Sequence, residues 1–481
     1  MRNITVLSAL LFTTINLSFA HTLAEGKKMI KLNAVDTSSI VIKYSDLNDK
    51  NVRSFWNFKS TQNFKTKTLF KNFIGNEKNL SPAADALRGF QELRFDNALS
   101  KKEAVRLLED LYSQENIEYA VFNPKVEEAG FFEGSLPKND EIEPSETPDF
   151  ESKQFHLNAA PEGVDARFAW EIPGGAGAGI KIIDMETGVN ADHEDLEKFF
   201  FVSELPRGKV DHGTAVAGEM VAKRDGKGVT GISYEADYGF YSRLVDNENT
   251  WGRNGCKPED DDCTEQEEDP YHKGVAANLA KVIEKLEAGD LIVLEMHSPG
   301  PRGQYIPNEY WNPVYRILKY ATSEKGIHCV AAAGNGYENL DHEDYNQAFD
   351  PEFRDSGCVL VGAALSSGED RHKKAGFSNY GKRVDAFGYG RGVVTTGYGD
   401  LHRGSDANYT ATFSGTSSAT PIVGGAMASL LGIGKERGIT LTPKELRDAL
   451  RKTGTPQKEP NGQRIGNLPD IKAAFSLIYE K

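Results

Sequence analysis

From about residue 155 onward, short apolar runs alternate with segments of helical periodicity, and this alternation constrains the fold more than any other feature. IKII (180–183), LIVLEM (291–296), HCVAAA (328–333) and CVLVGAA (358–364) have strand length, whereas HGTAVAGEMVAK (212–223), GVAANLAKVIEKLEA (274–288) and SATPIVGGAMASLLGIG (418–434) read as helices. Strands this apolar must be covered on both faces, which predicts an α/β domain with a parallel sheet between two helical layers. In such sheets functional groups gather beyond the carboxyl ends of the strands. The 481 residues, 39% of them apolar, suffice for this domain and a smaller one before it.

Four blocks fall where strands should turn into helices: IIDMETG (182–188), DHGTAVAG (211–218), AAAGNG (331–336) and FSGTSSATPIVGG (413–425). They contribute an acid, a histidine, a side-chain amide and a serine, the parts of acyl transfer through a relay with an oxyanion hole. Ser417 would stand at a helix N-terminus, where free N–H groups and the dipole favour a developing negative charge. Each block alone has a plainer reading, as N-cap serines, a structural histidine or a Gly-Asn-Gly turn.

Taken together and in order, with GFSNYG (376–381) between the last two, these blocks resemble the subtilisin-like serine proteases, the subtilases, over roughly residues 150–475. The resemblance implies a subtilisin-like three-layer parallel sheet with helices on both faces. It implies Ser417 as nucleophile, His212 as general base, and Asn335 as oxyanion donor beside the Ser417 N–H. Glu295, Met296 and His297 would line the substrate strand, where the family usually has Ser, Leu and Gly. Ala332, Ala333 and Gly334 would form a wall of the primary specificity pocket. AFGYG (386–390) also departs from the usual Ala-Pro-Gly. A catalytically weak homologue acting as a binding protein is the alternative, although the complete Ser417, His212 and Asn335 blocks favour an enzyme.

The acid is unusual. The family expectation is Asp followed by Ser or Thr and Gly, but Thr187-Gly188 follows Glu186, with Asp184 two residues earlier. Without gaps, the flanking Gly-x-Lys and His-x-Asp-Leu keep their family distances if Glu186 is the acid, and Glu186 lies nearer the strand's carboxyl end. Asp184, on the same face about 7 Å deeper, is the alternative acid or a supporting neighbour.

Residues 1–20, with Arg2 before an apolar run and Ala20 at its end, read as a signal peptide, so the chain is expected to be secreted or periplasmic. Residues 21–147 read as a small α+β unit and linker, with a capping box at Ser100 and Glu103 and a strand from Ile117, and residues 148–481 as the catalytic domain. By the resemblance, the unit is a propeptide that assists folding and inhibits the protease, a zymogen, and maturation would cut between about Glu127 and Glu151 in an acidic, proline-bearing linker.

Export makes two disulfides the expectation, Cys256–Cys263 and Cys329–Cys358. Asp plus Glu exceed Lys plus Arg by 71 to 56, a net charge of −15, which argues against nucleic acid. No segment after the leader reaches membrane-spanning length. The partners expected are protein or peptide substrates and the chain's own propeptide, on a monomer. Catalysis needs no cofactor. The resemblance implies one structural calcium, held by the Asp195 and Asp225 side chains and the Lys223, Lys227 and Val229 carbonyls.

Overall fold

The computed structural model describes residues 22–45, 64–74, 80–132, 146–197, 199–203, 210–243 and 274–480. The leader and the Cys256–Cys263 pair, with its acidic insertion, lie outside them.

The first unit is a four-stranded antiparallel sheet in the order Phe64–Thr68, Phe90–Phe95, Val35–Tyr44, Ile117–Pro124. Helices Leu23–Lys31 and Lys101–Tyr112 pack together on one side. The second helix starts where the sequence indicates: Ser100 accepts from the Glu103 N–H, and Glu103 returns the bond to the Ser100 N–H. Ile40, Ile42, Phe90, Leu93, Leu108 and Leu111 are fully enclosed between the layers.

The second unit carries nine strands in the order Thr455–Pro456, Asn467–Leu468, Ala386–Tyr389, Val359–Ala364, His328–Ala332, Leu291–Leu294, Lys181–Glu186, Asp237–Ser242, Phe199–Val202. All neighbouring pairs are parallel except the first. The helix Thr416–Glu436 lies against the sheet centre, with every residue to Gly434 buried. It is long and apolar enough to cross a membrane, yet it is the core of this domain. The expected Cys329–Cys358 disulfide joins two adjacent central strands.

Two local expectations are corrected. LIVLEM is not one strand: the chain leaves the main sheet at Glu295, and Met296–Pro299 pairs elsewhere. Nor is the linker solvated from Glu127. Glu127–Glu128 and Gly130–Phe132 are short strands held in the cleft of the large domain. Acidic composition signals solvation, but an unpaired sheet edge supplies hydrogen bonds that composition does not reveal.

Candidate active site

Glu186 ends the central strand Lys181–Glu186 and is fully buried. His212 is the second residue of the helix Asp211–Val221 and only 4% exposed. The Glu186 carboxylate contacts His212 Nδ1 directly, and its other oxygen accepts the Thr187 N–H. Burial works to raise the Glu186 pKa, but His212, that N–H and the Arg243 charge outweigh it and hold the carboxyl below its ordinary value. The extra methylene of Glu is accommodated at Gly213, where a Cβ would stand 2.4 Å from the Gly188 carbonyl and 3.1 Å from Glu186 Cγ.

Asp184 does not reach the imidazole. It is enclosed one strand repeat deeper, and burial together with the Glu186 charge pushes it well above the carboxylate range. Glu219 and Glu295 are also fully buried and raised, Glu219 by burial, Glu295 by burial and by its acidic neighbours Asp184, Glu186 and Glu219. On the side of the sheet, the ionised Glu186 carboxylate against the histidine is therefore backed by three acids held toward their neutral forms. For His212, burial acts downward, yet Glu186 and Glu128 raise it to about 9.

Ser417 lies in the first turn of the buried helix Thr416–Glu436. Its N–H donates to the carbonyl of Ala129 at 3.1 Å, and Asn335 Nδ2 donates to the same oxygen at 2.6 Å. Thr416 fixes that amide, since its N–H and hydroxyl donate to Asn335 Oδ1 at 3.0 and 2.9 Å. Gly415 makes room for the carbonyl: its φ is +111°, and a Cβ there would stand 2.4 Å from Ala129 O. Ser417 Oγ donates to the Glu295 carbonyl at 2.9 Å, while Gly130 is packed against His212 and Ser417.

The occupant of the cleft is thus the chain itself. Glu128 opposes Met296, Glu127 opposes His297, and the Ala129 N–H donates to Glu295 O at 2.8 Å. Beyond the Ala129–Gly130 bond, Gly130–Phe132 pairs with Tyr409–Gly415, the strand leading into Ser417. The Glu128 carboxylate, Glu186 and His212 lie within 4.8 Å of one another, a proximity we assign to charge pairing with the imidazole. Of the pocket wall, a Cβ on Gly334 would stand 2.9 Å from Asn379 Nδ2 and 3.4 Å from His297 Cβ, and the Ala333 carbonyl accepts from Asn379 Nδ2 at 2.7 Å; Ala332 is buried.

The proposed calcium loop does not form an oxygen cage. Asp195 Oδ2 accepts the Val229 N–H at 2.9 Å, and the Asp195 carbonyl accepts the Lys223 N–H. Asp225 is exposed, accepts the Lys227 N–H, and lies 3.8 Å from the Lys223 ammonium. Hydrogen donors and a cation occupy the places where a hard ion needs converging oxygens, so this donor set as arranged does not fit calcium.

Sequence reasoning missed Thr416, Ala129, Gly130 and the Glu128 carboxylate. The first belongs to the Gly-Thr-Ser block and was legible there; the others are positioned by long-range pairing.

An acid, a histidine, a serine and an amide donor converging at the carboxyl ends of a parallel sheet define a class of α/β protein equipped for acyl transfer. The subtilase family model matches residues 177–466, and the chain belongs to that family. It is 30% identical over 289 residues to subtilisin-like protease 6 of Trichophyton equinum, covering 58% of this chain and 59% of that one. The protein of the same name from Trichophyton tonsurans is 29% identical with the same coverage. The chain thus spans about three-fifths of the length of the curated relatives it matches. Its fold is like that of fervidolysin from Fervidobacterium pennivorans, a keratinolytic enzyme related to subtilisin, with a TM-score of 0.58, 20% identity, and 92% of this chain and 61% of that chain covered.

Proposed function

We propose that this chain is the zymogen of an exported serine endopeptidase that first cuts its own Ala129–Gly130 bond. The observation that carries this reading is the Ala129 carbonyl oxygen held between the Ser417 N–H and Asn335 Nδ2. These donors lie where negative charge develops when a nucleophile adds to that carbonyl. The Cys329–Cys358 disulfide agrees with an oxidising compartment.

In this mechanism Ser417 Oγ turns from Glu295 O toward His212 Nε2, loses its proton there and adds to the Ala129 carbonyl carbon. The tetrahedral oxyanion is held by the two donors. It collapses with loss of the Gly130 nitrogen, which takes the proton from His212, leaving Ala129 as an acyl-enzyme. Water, deprotonated by His212, then releases the Ala129 carboxylate and restores Ser417. Glu186 orients the imidazole and stabilises its charged form. The freed segment, which ends at Ala129, remains paired in the cleft as an inhibitor, and other protein substrates follow by the same route once it leaves.

Expression of the full chain tests this. The processed form is expected to begin at Gly130 by N-terminal sequencing and, once the freed segment is dissociated, to take a fluorophosphonate label on Ser417. Ser417→Ala should remain full length. Glu186→Gln should slow processing by about 10⁴-fold, whereas Asp184→Asn, which replaces a neutral acid by a neutral amide, should cost less than about 10-fold. An unlabelled Ser417 in processed protein from which the freed segment has been dissociated overturns the enzyme reading.

A further inference from the structure

We infer that His297, stacked on Tyr305, closes the primary pocket, so that the protease cuts after a small residue in an acidic stretch and before glycine. The inference rests on the endopeptidase reading above and names its substrate class.

The bound tail supplies the geometry. In an antiparallel pair, opposed residues share a face and residues two apart share it again. His297 opposes Glu127, so Ala129 faces the same side as His297 and Glu127, and Glu128 faces the other, toward His212. The Ala129 side chain is fully enclosed. On that same face, the His297 ring lies flat on Tyr305, with centroids 4.0 Å apart at 12°. His297 is 4% exposed, and its Nδ1 accepts the Asn335 N–H at 3.3 Å. Burial keeps the ring neutral, its pKa lowered to about 3, which suits that acceptor role.

The walls are braced. Asn379, from the GFSNYG block, donates through Nδ2 to both the Ala333 carbonyl at 2.7 Å and the Tyr305 carbonyl at 2.8 Å. The wall at Ala333 and the segment carrying the stacked ring are therefore tied to one amide, and a larger side chain at the Ala129 position must displace a packed imidazole and break its bond to the Asn335 N–H. Enlarging a packed site in this way is unfavourable.

The neighbouring positions are read as well. Tyr305 donates its hydroxyl to Glu127 Oε2 at 2.6 Å, which selects an acid two residues before the cut residue. After the cut, a Cβ on Gly130 would stand 2.3 Å from His212 Nε2 and 3.0 Å from Ser417 Cβ. His212 is held by Glu186 and cannot retreat, so glycine is required there.

The test uses the self-processed chain separated from its freed segment and internally quenched peptides spanning VEEAGFF. Replacing the central Ala by Phe should lower kcat/KM by about 100-fold. Replacing the first Glu by Gln should lower it by about 5-fold, and Tyr305→Phe should abolish that difference. In His297→Gly, the Phe-to-Ala ratio of kcat/KM should rise by about 10-fold or more, a gain that loss of folding cannot produce. If the wild type cuts the Phe peptide as fast as the Ala peptide, the inference is wrong while the protease stands. If no peptide is cut and Ser417 takes no fluorophosphonate, the protease reading fails first.

Discussion

Glu128 sets a charge beside His212 that leaves when the tail leaves. In the uncut chain the imidazole feels burial downward but Glu186 and Glu128 upward, which together raise its pKa to about 9. A base must be neutral to take the serine proton, so self-cleavage should rise with pH through about 9. Glu128→Gln removes one of the raising charges and lowers the imidazole pKa, so its rate profile should move to lower pH and its processing at pH 7 should quicken. Stopped samples of the purified precursor, run on gels across pH 6 to 10, read this directly. An unmoved midpoint would show that Glu128 does not act on the histidine. At this scale the order of blocks and the spacing around Thr187-Gly188 singled out Glu186, His212, Asn335 and Ser417, which the structure brings together. The pairing of Glu127 with His297 was not visible, because it joins residues 170 positions apart through a strand edge.

The central strands were legible because runs such as CVLVGAA are apolar on both faces, and only a covered parallel sheet tolerates that. Met296–Pro299 was not separable from Leu291–Leu294, since LIVLEM reads as continuous and Glu295, which marks the break, is itself buried. Two of the central strands are also joined covalently. Cys329 and Cys358 are 29 residues apart, and by loop-closure entropy their bond is worth about 3.5 kcal/mol. The double change Cys329→Ala and Cys358→Ala, made on the Ser417→Ala background to prevent self-digestion, should lower the unfolding free energy by about that amount or more, because both sites are buried. Urea unfolding followed by tryptophan fluorescence measures it. A loss below about 1 kcal/mol would mean that the surrounding sheet alone fixes the two strands.

At the scale of the whole molecule, the described residues of the first unit meet the large domain both in the cleft and over a broader face away from it. On that face, Phe73 packs on Tyr320 with ring centroids 5.3 Å apart, Asn72 hydrogen-bonds Glu284, and the helix Pro82–Asp85 lies on the helix Asn312–Ser323. Cutting Ala129–Gly130 ends the covalent link but leaves this second contact and the Glu127–Glu128 pairing intact, so the released unit should stay bound as an inhibitor. The two contacts act together as a divalent grip, and weakening one lowers occupancy of the other. Phe73→Ala removes an aromatic anchor at the remote contact without touching any residue of the cleft, at a cost of about 1–3 kcal/mol in binding, or roughly 10–100-fold. Processing at Gly130 should proceed at its normal rate in this variant, because the cleft segment is unchanged and still tethered. Peptide-cleaving activity should then emerge earlier, and the isolated variant unit should inhibit the mature enzyme with a constant raised by the same factor. An inhibition constant unchanged from the wild type would show that the Phe73 contact carries none of the holding power.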